Sequence, residues 1–521
     1  MMRRVTFNLV LYLMKKLLLS VAALAAATGT LYGQSYTPDV LKFSQTNYGS
    51  TARFKGMAGA QIGVGGDMSS LGSNPAGLGL FTRSEFTFTP EFNGMTGKAN
   101  FLNQNTESSK SVLNLNNAGV VFYSPSWRAK GQDTKKGVIS TVFGIGYNRN
   151  NDFGAEFSYL GTNPSNSIAD YFRDDANFNL PQRPGAGPDD LPVNSLGSLG
   201  YEGYLIDFDE PNGQFLSSTR NNSNAQSASN SQYKNEIRSG STSELNVAGA
   251  LNISNQVYIG ASVGLVNVRY ISDGEFRESG YNFAEDANYS LVFRRNQETT
   301  GTGINARLGV IFRPADNFRI GGTLQTPSWM LIEDNTSFKL NTSIGTNRNY
   351  DIEPINSLFT YRVRTPLKGS LGASYVIAGK ALVSADVDYI DYSSIRFSTD
   401  QGVEPGTIAA ENRLVKDYYK STANYRVGAE YKIDNALSIR GGYGLNGSAI
   451  KGDSDYFATK IYTGGLGYRV NNYYFDVAYQ HLNTNTELAP YEVGTAENPE
   501  EPVADIKTQR NNVFLTFGVR F

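Results

Sequence analysis

The 521-residue chain sets 46 Lys and Arg against 48 Asp and Glu, a net charge of −2, so no basic field points to nucleic acid. It has no cysteine, which excludes disulfide scaffolds, thiolate metal sites and cysteine nucleophiles, and a single histidine, His481. Only 18% of residues are charged, while Gly numbers 54, Tyr 32 and Phe 29, a balance that favours many strands, tight turns and interfacial aromatic rings.

The N-terminus reads as a targeting segment. From Met14, a basic pair (Lys15, Lys16) precedes an apolar run, Leu17–Ala27, with small residues after it. Met14 is a candidate true start, and cleavage is placed after Ala27 or near Gly33 and Gln34. The apolar run is too short for a stable membrane helix, and no later window is long enough either. Residues 1–33 are therefore expected to be an export leader.

Next comes "GDMSSLGSNPAGLG", Gly66–Gly79. Its small residues permit close backbone packing. Asn74 reads as a helix cap and Pro75 as a first helical residue, with Ala76, Gly77 and Leu78 beginning a short turn.

Beyond residue 84 the period is two. In "NNVFLTFGVRF", Val513, Leu515, Phe517, Val519 and Phe521 share one face. In "YYFDVAYQ", Tyr473, Phe475, Val477 and Tyr479 do the same. Alternation alone does not say which face is outside. The connections decide. Short turns at Ser254–Gln256, Arg313–Asn317, Ala378–Lys380, Ile433–Asn435 and Val470–Asn472 alternate with long links, such as Ile271–Thr300 and Trp329–Tyr361. Short inner turns and long outer loops are the signature of an outer-membrane barrel.

Strands are expected at about 84–93, 115–124, 137–149, 242–254, 256–270, 301–313, 316–328, 362–377, 380–392, 421–433, 435–446, 459–470, 472–482 and 510–521. Fourteen is even, which returns both ends of an all-β, transmembrane antiparallel barrel to one side. The opposite face carries Arg307, Asp386, Asp388, Arg426, Glu430 and Arg440, among others. An Arg or Lys facing lipid at mid-depth costs about 2–4 kcal/mol, so this set is expected to face a wet lumen or a plug.

The segment before the strands resembles the hatch of the FadL/TodX outer-membrane transporters. The resemblance rests on Gly56-Met57-Ala58-Gly59-Ala60, Gly66-Asp67, Ser69-Ser70-Leu71 and Asn74-Pro75-Ala76-Gly77-Leu78. It extends to the whole chain by architecture: leader, hatch, fourteen strands and a terminal Phe. It implies a plugged barrel in the outer membrane of a Gram-negative bacterium, with the hatch at 34–83 and the barrel at 84–521. The implied function is uptake of a hydrophobic small molecule or lipid, such as a long-chain fatty acid or an aromatic compound. It further implies a gating motif at Gly66, Asp67, Asn74, Pro75, Ala76 and Gly77, and lateral exit at a kink in the third strand. Gly144 and Gly146 stand inside that strand and are the exit candidates, although glycine there also relieves crowding against a hatch.

The longest loop, about 150–241, supplies capture candidates: Ile168, Tyr171 and Phe172 on one amphipathic stretch, and Tyr204, Leu205 and Phe208 on another. The same residues could equally form the loop's own core. The other loops are polar, which keeps open a second reading: a non-transporting barrel subunit that binds a protein partner through its extracellular loops. A diffusion porin is disfavoured by the hatch. An enzyme is disfavoured by the absence of an acid–base set around the lone His481, and no cofactor or metal is expected.

Overall fold

The computed structural model describes residues 36–45, 47–127, 133, 135–221, 227–399, 405–452, 456–493 and 501–521; the expected leader lies outside them. Fourteen antiparallel strands close into a barrel. They are β1 (Glu85–Phe101), β2 (Gln104–Pro125), β3 (Val138–Asp152, resuming as Ala155–Asn163), β4 (Asn230–Ile253) and β5 (Val257–Asn282). Then come β6 (Ala287–Ala315), β7 (Phe318–Gln325, resuming as Trp329–Ile344), β8 (Ile355–Arg364, resuming as Lys368–Ile377) and β9 (Ala381–Asp391). Last are β10 (Ser421–Lys432), β11 (Leu437–Asn446), β12 (Thr459–Val470), β13 (Tyr473–Leu488) and β14 (Ala504–Arg520). The seam is β1 on β14, running from Glu85 opposite Arg520 to Asn100 opposite Asp505. Closure leaves no open sheet edge along the seam, and an open edge is not viable in hydrocarbon.

Alternation sorts the two faces. Tyr473, Phe475, Val477 and Tyr479 of β13 point outward and are exposed, while Tyr474, Asp476, Ala478 and Gln480 are buried in the lumen. Arg307, Asp386, Asp388, Arg426 and Glu430 are all buried on the inner side.

Several expected outer loops turn out to be strand in part, the longest, about 150–241, at its two ends, 155–163 and 230–241. Residues 271–282 and 287–300 prolong the β5–β6 hairpin, and 329–344 prolong β7. The period of two does not change there; the outward set does. On β5 it passes from Ile259, Val263 and Leu265 to Arg269, Asp273 and Arg277, all exposed. Above the hydrocarbon band an outward strand residue meets water, so the strand continues with polar residues. The β4–β7 wall therefore rises well past the membrane.

The segment between β3 and β4 forms a cap on this tall wall. It contains α-helices Ile168–Asn179 and Leu196–Glu202 and a small hairpin, Ile206–Asp209 with Gln214–Ser217. The N-terminal segment lies inside the barrel. It begins with α1 (Thr37–Ser44) and a one-turn helix (Ala52–Lys55), then passes through two 3₁₀ turns, Met68–Leu71 and Pro75–Leu80, before β1.

Candidate functional site: plug, lumenal cavity and side aperture

The lower lumen is filled by residues 47–81. Asp67 caps the first 3₁₀ turn, accepting from Ser69 N and Ser69 Oγ, and also takes the Thr51 hydroxyl at 2.9 Å. Asn74 does three jobs. Its Oδ1 accepts from Ala76 N at 3.2 Å, and its Nδ2 donates to Ile62 O at 2.8 Å and to Val310 O on β6 at 3.2 Å. One side chain thus caps a turn, ties two plug segments together and fastens them to the wall. Pro75 occupies the first turn position, where a missing N–H costs nothing. Gly66 has φ +70° and donates to Gly77 O at 2.9 Å, which closes the plug on itself.

The wall makes room for this packing. A Cβ on Gly309 would sit on Asn74 Oδ1, and one on Gly260 would sit on the Pro75 carbonyl group. Ion pairs complete the seal. Arg53 of the plug donates twice to Glu430 of β10, at 2.9 and 3.1 Å. Glu430 also accepts from Arg440 at 2.7 Å, and Arg440 reaches Asp476 at 2.6 Å. On the neighbouring strand β9, Asp386 accepts from the Gln61 and Ile62 backbone amides at 2.5 and 2.8 Å.

Above the plug lies a cavity of about 730 Å³. Its aromatic lining includes Phe157, Tyr270, Phe293 and Phe338, and its charged lining includes Lys234, Glu236, Arg238 and Arg295. The inner helix α1 borders it through Leu41 and Lys42. A loop helix, Pro405–Tyr418, holds α1 in place, with Glu411 accepting from Thr37 Oγ1 at 2.5 Å and from Tyr36 N at 3.3 Å.

The cap stands over the cavity. Ile168, Phe172 and Leu205 are fully buried in the shared core of cap and wall, against Phe293 and Leu340 among others. As placed, these three do not offer an open capture surface, because their apolar faces are spent in packing. Phe208 packs within the cap on Phe215, 5.0 Å between centroids with the rings tilted, and Tyr204 on Tyr350 at 4.6 Å. Tyr171 is the capture candidate that lines the cavity.

The cap is jointed to the wall at Glu278, which lies above the hydrocarbon band. This buried carboxylate accepts from Ser167 Oγ at 2.5 Å, Tyr289 Oη at 2.7 Å, Gln232 Nε2 at 2.8 Å and Ile168 N at 3.2 Å. Burial pushes its carboxyl up to about 7. Within the cap, Asp175 accepts from Gly197 N at 2.7 Å, and burial pushes it up to about 6.

The wall itself parts beside the cavity. Strands β2 and β3 pair from Pro125 opposite Ser140 up to Asn117 opposite Asn148, and no further. At that level each strand carries one extra residue: Asn116 in β2, where the β1 register shifts, and Asn150 in β3, where the β4 register shifts. Both asparagines turn to the plug. Asn116 Nδ2 donates to Ser50 O, and Asn150 Oδ1 accepts from Gly49 N at 3.3 Å. Such bulges bend a strand and end its pairing. Past Gly154 the third strand resumes inside the β1–β2 hairpin, where Phe157 and Tyr159 pack against Met95 and Phe101.

This places the irregularity above Gly144 and Gly146. Those two are paired on both sides, Gly144 with Val121 and Ala248, Gly146 with Gly119 and Asn246. A Cβ on either would press on Leu71 of the plug, at 2.9 and 2.6 Å, so they make room for the plug rather than bend the strand. The signal for the bend was present in the asparagine-rich runs Asn114–Asn117 and Asn148–Asn151.

A family model described as outer membrane protein transport protein (OMPP1/FadL/TodX) matches residues 218–520. Among solved structures, the toluene transporter TodX of Pseudomonas putida is similar over 91% of this chain and 99% of its own, at 13% identity and TM-score 0.51. A TodX deltaS2 mutant, described as a monoaromatic hydrocarbon channel, is similar over 91% and 99%, at 14% identity and TM-score 0.52. At these identities the structures establish a shared fold. A search of curated proteins returns no match. With the family model covering more than half of the chain and the barrel agreeing over almost its whole length, the protein belongs to the OMPP1/FadL/TodX family of outer-membrane transport proteins.

Proposed function

We propose that the protein takes up a hydrophobic small molecule, such as a long-chain fatty acid, a similar lipid or an aromatic compound. Cargo is admitted beneath the cap, held in the lumenal cavity and released sideways through the wall. The observation that carries this reading is the cavity's position. Its lining includes the aperture residues Asn116, Arg149 and Asp152, whereas the axial path below is filled by the plug. An apolar cargo gains about 0.8 kcal/mol per CH₂ on leaving water, so a sideways route into hydrocarbon is favourable where a wet axial pore is not. In this reading residues 34–83 are the plug. Gly66, Asp67, Asn74, Pro75, Ala76 and Gly77 keep it seated, and Tyr171 meets the cargo.

The outer wall above the membrane favours a second reading, a partner-binding scaffold. Its outward face carries a ladder of polar side chains, in which Arg277 and Arg294 share Glu275 and Asn341 bonds Asp351. Native mass spectrometry after mild detergent extraction separates the two. A co-purifying lipid or apolar compound supports uptake; a stoichiometric protein partner without one overturns it.

A further inference from the structure

Above the Asn117–Asn148 pair, the free edge of β2 is closed by side chains in place of a backbone ladder. Thr106 Oγ1 donates to Ser158 O and Ser108 Oγ to Glu156 O, both at 2.6 Å, and Lys110 Nζ donates to Arg238 O at 2.6 Å. What remains open lies between Lys110 and Asn117. It is spanned at Asp152. That carboxylate accepts from Arg149 Nη2 at 2.7 Å on its own strand and from Arg510 Nη1 of β14 at 3.2 Å. Asn114 Nδ2 of β2 stands at 3.5 Å, the outer limit of a hydrogen bond. Arg149 also lies 3.6 Å from Glu91 of β1. Four neighbouring strands therefore converge on one carboxylate and its arginine, behind a stretch of this wall that backbone pairing leaves open.

We infer that Asp152 is the latch of the side aperture, a positioning residue that holds the bent third strand to β14 and so sets how readily the wall opens for cargo. The inference rests on the lateral-release reading for its role in transport, but the latch itself is a property of the wall. Asp152 lines the cavity, so a molecule held there lies beside the residue that fastens the exit. The Asp152–Arg510 pair is partly exposed, with side-chain exposures of 14% and 25%. Such pairs are weak, so the latch is suited to repeated opening rather than permanent closure.

The test uses full-length protein in nanodiscs and proteoliposomes, with folding checked by the heat-dependent gel shift of intact barrels. Amide hydrogen exchange is measured for Asp152→Asn, Arg510→Gln, the double variant and Asp152→Glu. The expected result is an exchange increase of about fivefold, confined to residues 112–116 and 150–154, in each single variant. The double variant should add nothing further, and Asp152→Glu should return toward wild type. Uptake of the neutral fluorophore N-phenyl-1-naphthylamine should rise in parallel. Unchanged exchange in those two segments, or additive effects of the two substitutions, overturns the latch. Raised exchange with unchanged uptake upholds the latch and places the failure in the lateral-release reading.

Discussion

Arg53 of the plug and Glu430 of the wall form a bidentate pair, and Glu430 is shared with Arg440 of the neighbouring strand. The carboxylate is thus the hub and Arg53 a spoke. Glu430→Gln takes the carboxylate from Arg53 and leaves Arg440 with Asp476 alone, whereas Arg53→Gln leaves Glu430 still paired. Loss of one partner from a buried pair costs about 3–5 kcal/mol, so Glu430→Gln should unseat the plug far more than Arg53→Gln. Planar-bilayer conductance checks this: wild type near closed, Arg53→Gln slightly raised, Glu430→Gln porin-like.

Asn74 binds the plug to itself and to β6. Asn74→Ala removes a turn cap and two donated bonds, each worth about 1 kcal/mol, and leaves Ile62 O and Val310 O without this donor. The expected outcome is faster amide exchange across residues 62–80 and higher conductance. Gly309→Ala should mimic it from the wall side, because its methyl would occupy the place of Asn74 Oδ1. Equal conductance in wild type and both variants would count against a gating role for Asn74.

Gly146→Val should act on the plug and not on the exit. Its side chain would press on Leu71, and overpacking of this kind costs about 1–3 kcal/mol. Conductance should rise while exchange at residues 150–154 stays at wild type. A fall in uptake with no conductance change would return the exit to these glycines.

Docking of the cap should weaken as pH rises. The Glu278 carboxyl is held up to about 7 in the docked state. Between the ordinary glutamate range and that value, the docked form keeps a proton that the undocked form has lost, so docking is favoured below the window and penalised above it. Asp175, held up to about 6, acts in the same direction. Limited proteolysis of residues 164–229 should be slower at pH 5.5 than at pH 8.5. Glu278→Gln, fixed in the neutral form, should flatten most of the difference. An unaltered pH profile in that variant would remove Glu278 from the effect.

The sequence carried the barrel because strand period and turn length are local. The turn around Val470–Asn472 and the alternation from Tyr473 to Tyr479 needed no tertiary information. Strand ends above the membrane were lost for a physical reason: Arg269, Asp273 and Arg277 keep the period but change chemistry, and polar alternation reads as loop. The aperture was lost for another. A bulge is a relation between two strands, so Asn116 and Asn150 show their role only once β2, β3 and the plug turn at Gly49 and Ser50 are brought together. The capture residues divided along the same line. Periodicity put Ile168 and Phe172 on an apolar face, but only the cap's seat on the tall wall shows that this face is consumed by packing.

The seam also constrains how the molecule is made. Glu85 and Arg520 meet at its lower end, 435 residues apart along the chain. Contacts of such separation form late, because loop-closure entropy opposes them until the intervening strands have ordered. The plug is threaded through the lumen and bonded to strands as far apart as β6, β9, β10 and β14, the last through Ala52 N and Thr516 Oγ1 at 2.7 Å. The side aperture opens on the cavity above the plug, so a finished barrel gives a folded insert the size of residues 47–81 no side entrance. The N-terminal segment must therefore lie within the curling sheet before β1 and β14 zip together, which makes it the mandrel on which the barrel is rolled as well as its stopper.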